Sequence, residues 1–234
     1  MLSKSNFSIE TAVANQSGAM EAETISKNGQ SSKSHKSRGN MFLTLIIASI
    51  VITAPAVGVF AQDIVFPSKD IENFQGNKFG WQEIKAKGSA TIKKGYYEIT
   101  SNTKVNVIGV TAYANLPVNI KNNFKISVKF QLVKWDKSSV FAVLLNSATI
   151  RLAVSENDLA AIINNNTIAC QELRKTMKGD TVTLSIGKEG TNWFFYYNDT
   201  LVCTSEQQQQ TNSEIRLNLL GSSQVNVLEV IVEH

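Results

Sequence analysis

The chain is poor in the residues that most reactive sites need. It has two His in 234 residues: His35 lies in a polar N-terminal stretch, and His234 is the last residue. Neither position offers a buried general base, so Ser/His/Asp and Cys/His catalysis lack their central member. There are two Cys, no CxxC and no HExxH, a set that disfavours zinc. No phosphate-cradling Gly loop is present either. Calcium could be held by Asp, Asn and carbonyl oxygens, but no stretch has ligand spacing specific to it, so no metal or cofactor is expected. A basic stripe is also missing. Beyond Ala61, 18 basic residues face 16 acidic ones, and no Lys/Arg run exceeds two residues. That balance excludes nucleic acid as the expected partner.

What is present begins with a composition shift. The chain is 43% hydrophobic, enough to bury a core. Residues 1–40 are rich in Ser, Asn, Gln and Lys, with almost no large apolar side chains. Such a stretch cannot offset its chain entropy by burial and reads as a disordered leader. Residues 41–61 differ sharply: Phe42 to Phe60 is a 19-residue run without a charge, preceded by Lys33, Lys36 and Arg38. Small residues at Val59-Phe60-Ala61 fit signal-peptide cleavage after Ala61. The other reading is an uncleaved helix, since the run nearly reaches the ~20 apolar residues that span a bilayer. Either way residues 62–234 are expected outside the cytoplasm, secreted or held in the cell envelope. Membrane contact would come only through 42–60, if uncleaved. A start codon at Met20 or Met41 is a further alternative.

Residues 62–234 read as all-β. In Phe124 to Leu132, Phe124, Ile126, Val128, Phe130 and Leu132 alternate with Lys125, Ser127, Lys129 and Gln131. That is a strand with one buried and one wet face, as in antiparallel sheets. Val182, Leu184 and Ile186 alternate in the same way, and Lys188-Glu189-Gly190-Thr191 supplies a turn into five aromatics, Trp193 to Tyr197. Strands are also expected at Trp81 to Ala86, Tyr96 to Thr100, Val105 to Ala112, Val140 to Leu145, Thr149 to Val154, Leu159 to Ile163, Thr167 to Cys170, Ile215 to Leu220 and Val225 to Val232. Glu172 to Lys178 could be a short helix or a turn. About a dozen short strands suggest a sandwich or barrel.

Three segments carry a family resemblance. Phe124 to Phe130 (FKISVKF), the hairpin Val182 to Val202, and the closing pair Ile215 to Val232 resemble the concanavalin A-like lectin/glucanase superfamily, including laminin G-like domains. The family's usual Asn-Gly turn is Asn198-Asp199 here. The resemblance implies a two-sheet antiparallel jelly-roll β-sandwich and a glycan or cell-surface protein as partner. It also implies that Phe195 and Tyr197 face the core while Phe194 and Tyr196 line the other face. The glycosidases of the superfamily place two acids on one strand in an E-x-D-x-x-E run, and no such run occurs here. Glu156-Asn157-Asp158 has one suitable spacing but sits in a turn-like segment.

The expected function is therefore a non-catalytic, lectin-like carbohydrate-binding module. Sugar would stack on exposed rings of a concave sheet face, with hydroxyls bonded to nearby polar groups. The candidate ligand-binding residues are Phe194, Tyr196, Arg151, Asn146 and Trp135, with Trp135 exposed in the loop WDKSS and Trp81 sealing the sandwich. Two alternatives remain open: a structural or protein-interaction module of the envelope, and a glycoside hydrolase with dispersed carboxylates. Cys170 and Cys203 read as one disulfide in an oxidising compartment, or as two buried thiols on neighbouring strands.

Overall fold

Alternation of apolar and polar side chains builds the molecule, strand by strand. The computed structural model describes residues 66–85, 88–102, 109–117, 119, 122–145, 149–168, 170, 175–206 and 213–234. The polar leader (1–40), the apolar segment (41–61) and Asn146 lie outside the described residues. The strands are β1 Lys69–Glu72, β2 Gly88–Lys93, β3 Tyr96–Asn102, β4 Val110–Asn115, β5 Phe124–Lys134, β6 Val140–Leu145 and β7 Ile150–Val154. They continue as β8 Leu159–Ile163, β9 Asn166–Ile168, β10 Thr181–Glu189, β11 Asn192–Tyr197, β12 Thr200–Glu206, β13 Glu214–Leu220 and β14 Ser222–Glu233.

They form two antiparallel sheets. The eight-stranded sheet runs β12-β11-β10-β5-β14-β3-β2, with β1 also pairing β14, and the six-stranded sheet runs β4-β13-β6-β7-β8-β9. Inward residues of both sheets meet in one core. From β5 these are Phe124, Ile126, Val128, Phe130 and Leu132, all fully buried. Opposite them lie Phe141, Val143, Ile150, Leu152, Leu217 and Leu219, equally buried. The Phe130 and Phe141 rings meet across the sheets at 4.2 Å between centroids. The jelly-roll sandwich expected from the sequence is the observed architecture.

Several elements depart from expectation. Of the expected strand Trp81 to Ala86, Ala86 lies outside the described residues, and residues 81–85 form a single bridge, Ile84–Ala90, rather than a strand. Glu72 explains why. Its carboxylate accepts hydrogen bonds from Phe74 N at 2.9 Å and Phe79 N at 3.0 Å, curling the chain after β1 into a loop. That loop delivers Phe74 and Trp81 onto Tyr97, at 5.7 and 5.5 Å between ring centroids. Of the two forms expected for Glu172 to Lys178, the described residues 175–180 contain the turn and no helix, and 172–174 lie outside the described residues. Of the expected strand Val105 to Ala112, residues 105–108 lie outside the described residues, and β4 extends three residues past the expected end.

The far side of the six-stranded sheet is also apolar. Val140, Ala142, Leu144, Ala153, Ala160, Ile162 and Leu220 form a second buried cluster there. Registers place Ala142, Ala153 and Ala160 side by side across β6, β7 and β8. The unbroken apolar runs of these strands fit burial on both faces.

Cys170 and Cys203 are joined by a disulfide, with Cα atoms 4.8 Å apart. Cys203 lies on β12, an edge of the larger sheet, and Cys170 follows β9, an edge of the smaller one. The bond therefore ties the two sheets together along one open side.

Candidate functional site

The aromatic strand β11 sends its side chains two ways. Trp193 and Phe195 enter the core and are fully buried. Phe194 and Tyr196 point to the outer face of the eight-stranded sheet, as the resemblance implied. They do not form an open platform there. Phe194 is only 6% exposed. Gly187 lies opposite it in register, and a Cβ at that glycine would sit 3.7 Å from both Phe194 Cβ and Tyr196 Cε2. Both residues thus close over the gap the glycine leaves. Lys125 Nζ sits 4.8 Å from the Tyr196 ring centroid, a cation–π contact that occupies the ring. Beside them Ser185 Oγ donates to Ser127 Oγ at 2.8 Å, buried.

The other candidates lie elsewhere. Arg151 is on β7, in the opposite sheet, so it is not a polar neighbour of the aromatic strand. In register it stands between Leu144 and Ile162, and all three are buried. Burial pulls its guanidinium pKa down from the ordinary value. Trp135 is not exposed: it packs in the core, and its Nε1 has no hydrogen-bond partner. The reason is the turn that follows. Ser139 N donates to Asp136 O at 2.9 Å, so Asp136–Ser139 makes the loop and Trp135 remains under the end of the sandwich. Trp81 is buried, as expected. The structure therefore brings Phe194 and Tyr196 together and separates both from Arg151 and Trp135.

A recessed polar site lies instead at the rim of the larger sheet. A cavity of about 250 Å³ is lined by Lys175, Asp180, Thr181, Val182, Tyr197 and Asn198. Three local devices shape it. The first is the β11–β12 hairpin, whose Asn198 and Asp199 adopt φ of 46° and 63°. Two consecutive positive φ values suit a tight two-residue hairpin loop, and Asn and Asp tolerate them. Asn198 Oδ1 accepts from Thr183 N at 2.8 Å, which fixes the side chain and leaves its amide as a donor.

The second device is the turn before β10. Met177 N donates to Asp180 Oδ2 at 2.9 Å, while Leu132 N donates to Asp180 O at 2.9 Å and Gly179 N to Leu132 O at 2.7 Å. Asp180 is thereby locked to the end of β5 with one carboxylate oxygen still able to accept. The third is Thr176, 1% exposed, whose N donates to Glu156 O at 2.8 Å. Its hydroxyl donates to the carbonyls of Ser155 and Glu156. Beside it Lys175 Nζ pairs with Glu156 Oε1 at 2.5 Å.

The lining thus supplies an aromatic ring, a carboxylate, an amide, a hydroxyl and an ammonium within one recess. Its volume is below the roughly 300–1,000 Å³ of drug-sized ligand pockets, giving room for a single pyranose. Sequence reasoning placed Tyr197 in the core and overlooked its neighbours. Tyr197 does pack against the core, yet as the last residue of β11 it is only half-buried and reaches the rim. The Asn198-Asp199 turn and the polar stretch ending in Gly179-Asp180 were the available signals.

No family model matches the sequence, and no curated protein matches it. Solved structures do. A β-glucanase of Bacillus licheniformis superposes with a TM-score of 0.54 at 11% identity, covering 74% of this chain and 100% of that one. The fold is that of the concanavalin A-like lectins and glucanases. A variant of the Emp46p carbohydrate recognition domain gives 0.50 at 10% identity, over 65% of this chain and 87% of that one. A sialidase gives 0.54 at 9% identity over 73% of this chain, which spans 19% of that longer protein. Within this concanavalin A-like frame the rim cavity lies at one end of the larger sheet, beside the β11–β12 hairpin.

Proposed function

We propose that the protein is an exported, non-catalytic carbohydrate-binding module that holds a sugar in the rim cavity. The observation that carries this is the composition of the cavity: the Tyr197 ring beside Asp180, Asn198, Thr181 and Lys175. An aromatic face accepts the apolar C–H side of a pyranose, while a carboxylate and an amide take the hydroxyls. The carbohydrate recognition domain among the structural neighbours supports the class of ligand. Binding rather than hydrolysis is favoured by the lining itself, where Asp180 is the carboxylate among the described residues and nearby Glu156 is held in an ion pair with Lys175. Export is supported by the charge-free run Phe42 to Phe60 and by the Cys170–Cys203 disulfide, which persists in oxidising compartments.

A glycan array followed by isothermal titration tests the reading. Asp180→Asn keeps an oxygen for Met177 N but removes the charged acceptor, and is expected to weaken binding about tenfold, the loss of one charge-assisted bond of roughly 1.5 kcal/mol. Tyr197→Leu keeps apolar volume and removes the flat ring, with a similar expected loss. Binding that both variants retain in full refutes the site.

A second reading, a protein-interaction module of the cell surface, draws on the packed state of Phe194 and Tyr196. Across the outer face of the larger sheet the registers align Ile71, Ile231, Ser127, Ser185, Tyr196 and Leu201, with Ser127 and Ser185 buried in the middle of the row. Ile71 is 40% exposed. Retention of a cell-surface protein by the wild type and its loss in Ile71→Glu, without glycan binding, favours this reading over the first.

A further inference from the structure

The charges around the rim cavity point to the kind of glycan it takes, an inference that rests on the carbohydrate-binding reading above. We infer that Glu156, through Lys175, sets the cavity for neutral sugars and excludes acidic ones. Among the described residues of the lining, Lys175 is the cationic one. Alone, an ammonium beside a tyrosine ring would attract the carboxylate of a uronic or sialic acid. Here its Nζ is 2.5 Å from Glu156 Oε1, and the carboxylate is the less exposed partner, at 20% against 56% for Lys175.

This pair is more than a crossing of two long side chains. Such exposed pairs gain little, because ordering both side chains costs entropy. Thr176 removes part of that cost. Buried next to Lys175, it bonds through its backbone N to the carbonyl of Glu156 and through its hydroxyl to Ser155 and Glu156. Residue 175 is thus held against residue 156 by bonds that involve neither charged group. The turn Ser155–Asp158 is closed in its own right, with Ser155 Oγ accepting from Asp158 N at 3.1 Å.

Among the described residues, the cavity and the ion pair at its border carry two carboxylates, Asp180 and Glu156, against the Lys175 ammonium. A neutral pyranose meets acceptors and donors without a charge cost. An acidic sugar brings a further negative charge to within about 6 Å of this set, where each like charge weakens binding roughly three- to tenfold for an effective dielectric of about 40–80. Glu156 is therefore a specificity-determining residue that acts on the ligand through Lys175 rather than by touching it.

The test compares neutral oligosaccharides (gluco-, manno- and galacto-) with oligogalacturonate and sialyllactose, by titration in low and in 0.5 M salt. Glu156→Gln leaves the backbone bonds of Thr176 in place and frees the ammonium. The expected result is that wild type prefers neutral sugars. Glu156→Gln should raise affinity for the acidic panel roughly three- to tenfold relative to the neutral one, a gain that shrinks in high salt. Adding Lys175→Met to Glu156→Gln should abolish the gain. An unchanged acidic-to-neutral ratio in Glu156→Gln, or a wild type that prefers acidic sugars, overturns this inference while leaving the carbohydrate reading intact. A wild type that binds neither panel overturns both.

Discussion

Glu72 is the most economical place to break this sandwich without touching either outer face. It is 2% exposed, and each carboxylate oxygen accepts from a different backbone N–H, Phe74 at 2.9 Å and Phe79 at 3.0 Å. Glu72→Ala removes both acceptors at once. A hydrogen bond to a charged group contributes roughly 1.5–3 kcal/mol, and a buried N–H left unpaired costs a comparable amount. Water entering the vacated space offsets part of this, so a net loss of about 3–5 kcal/mol is expected. For a domain of this size each kcal/mol moves Tm by about 2–4 °C, so the expected drop is roughly 6–20 °C. Glu72→Gln should fall between, because its amide keeps one acceptor but turns a donor toward a second donor. The loop also carries Phe74 at φ 57°, a value uncommon outside Gly, Asn and Asp. Its release should loosen the Phe74–Trp81–Tyr97 ring cluster and change near-UV circular dichroism before far-UV. The assay is thermal unfolding followed in both regions. A Tm within 2 °C of wild type for Glu72→Ala would refute the claim that this carboxylate organises the loop.

Three further outcomes are expected. Replacing Cys170 and Cys203 by Ser opens a loop with a sequence separation of 33 and should cost about 3–4 kcal/mol in the chain-entropy model, read by urea titration against the oxidised protein. Phe194→Ala should destabilise by about 3–5 kcal/mol as a buried ring, yet leave sugar affinity unchanged in whatever fraction remains folded; a loss of affinity at full folding would return the binding site to the aromatic strand. Asp70 has its pKa held below the ordinary 3.8 by hydrogen bonds from Lys78 and then His234. A lowered carboxyl pKa stabilises the fold above the unfolded value, and that contribution disappears as pH falls through the folded one. Denaturation midpoints of wild type should therefore drop more steeply below pH 3.8 than those of Asp70→Asn, and parallel curves would contradict it.

Much of the fold could be read from alternation alone. β5 and β10 carry strict period-two patterns, and both pair as central strands of the larger sheet. The same logic fails where a residue's neighbours in space are distant in sequence. Arg151 and Tyr196 both read as polar or aromatic strand residues with an outward face, but nothing local states that their strands belong to different sheets. Trp135 was misread because WDKSS is a turn sequence, and the turn begins one residue after the ring. The rim cavity was illegible for a further reason. Its walls come from the end of β11, the start of β10 and the segment tied to Glu156, three places brought together by the sheet register and by the Thr176–Glu156 bond. Glu72 gave no warning either, since an acid between Ile71 and Asn73 in KDIENF looks like an ordinary exposed position at a strand end.

The covalent link between Cys170 and Cys203 has a practical consequence for how this protein would come apart. A proteolytic nick anywhere in the 32 residues between them severs the chain but not the molecule, so the two fragments migrate together on a gel until a reductant is added. Where peptidases are common and thiols scarce, a cut in the β10–β12 hairpins would leave the two fragments fastened through the edge strands β9 and β12.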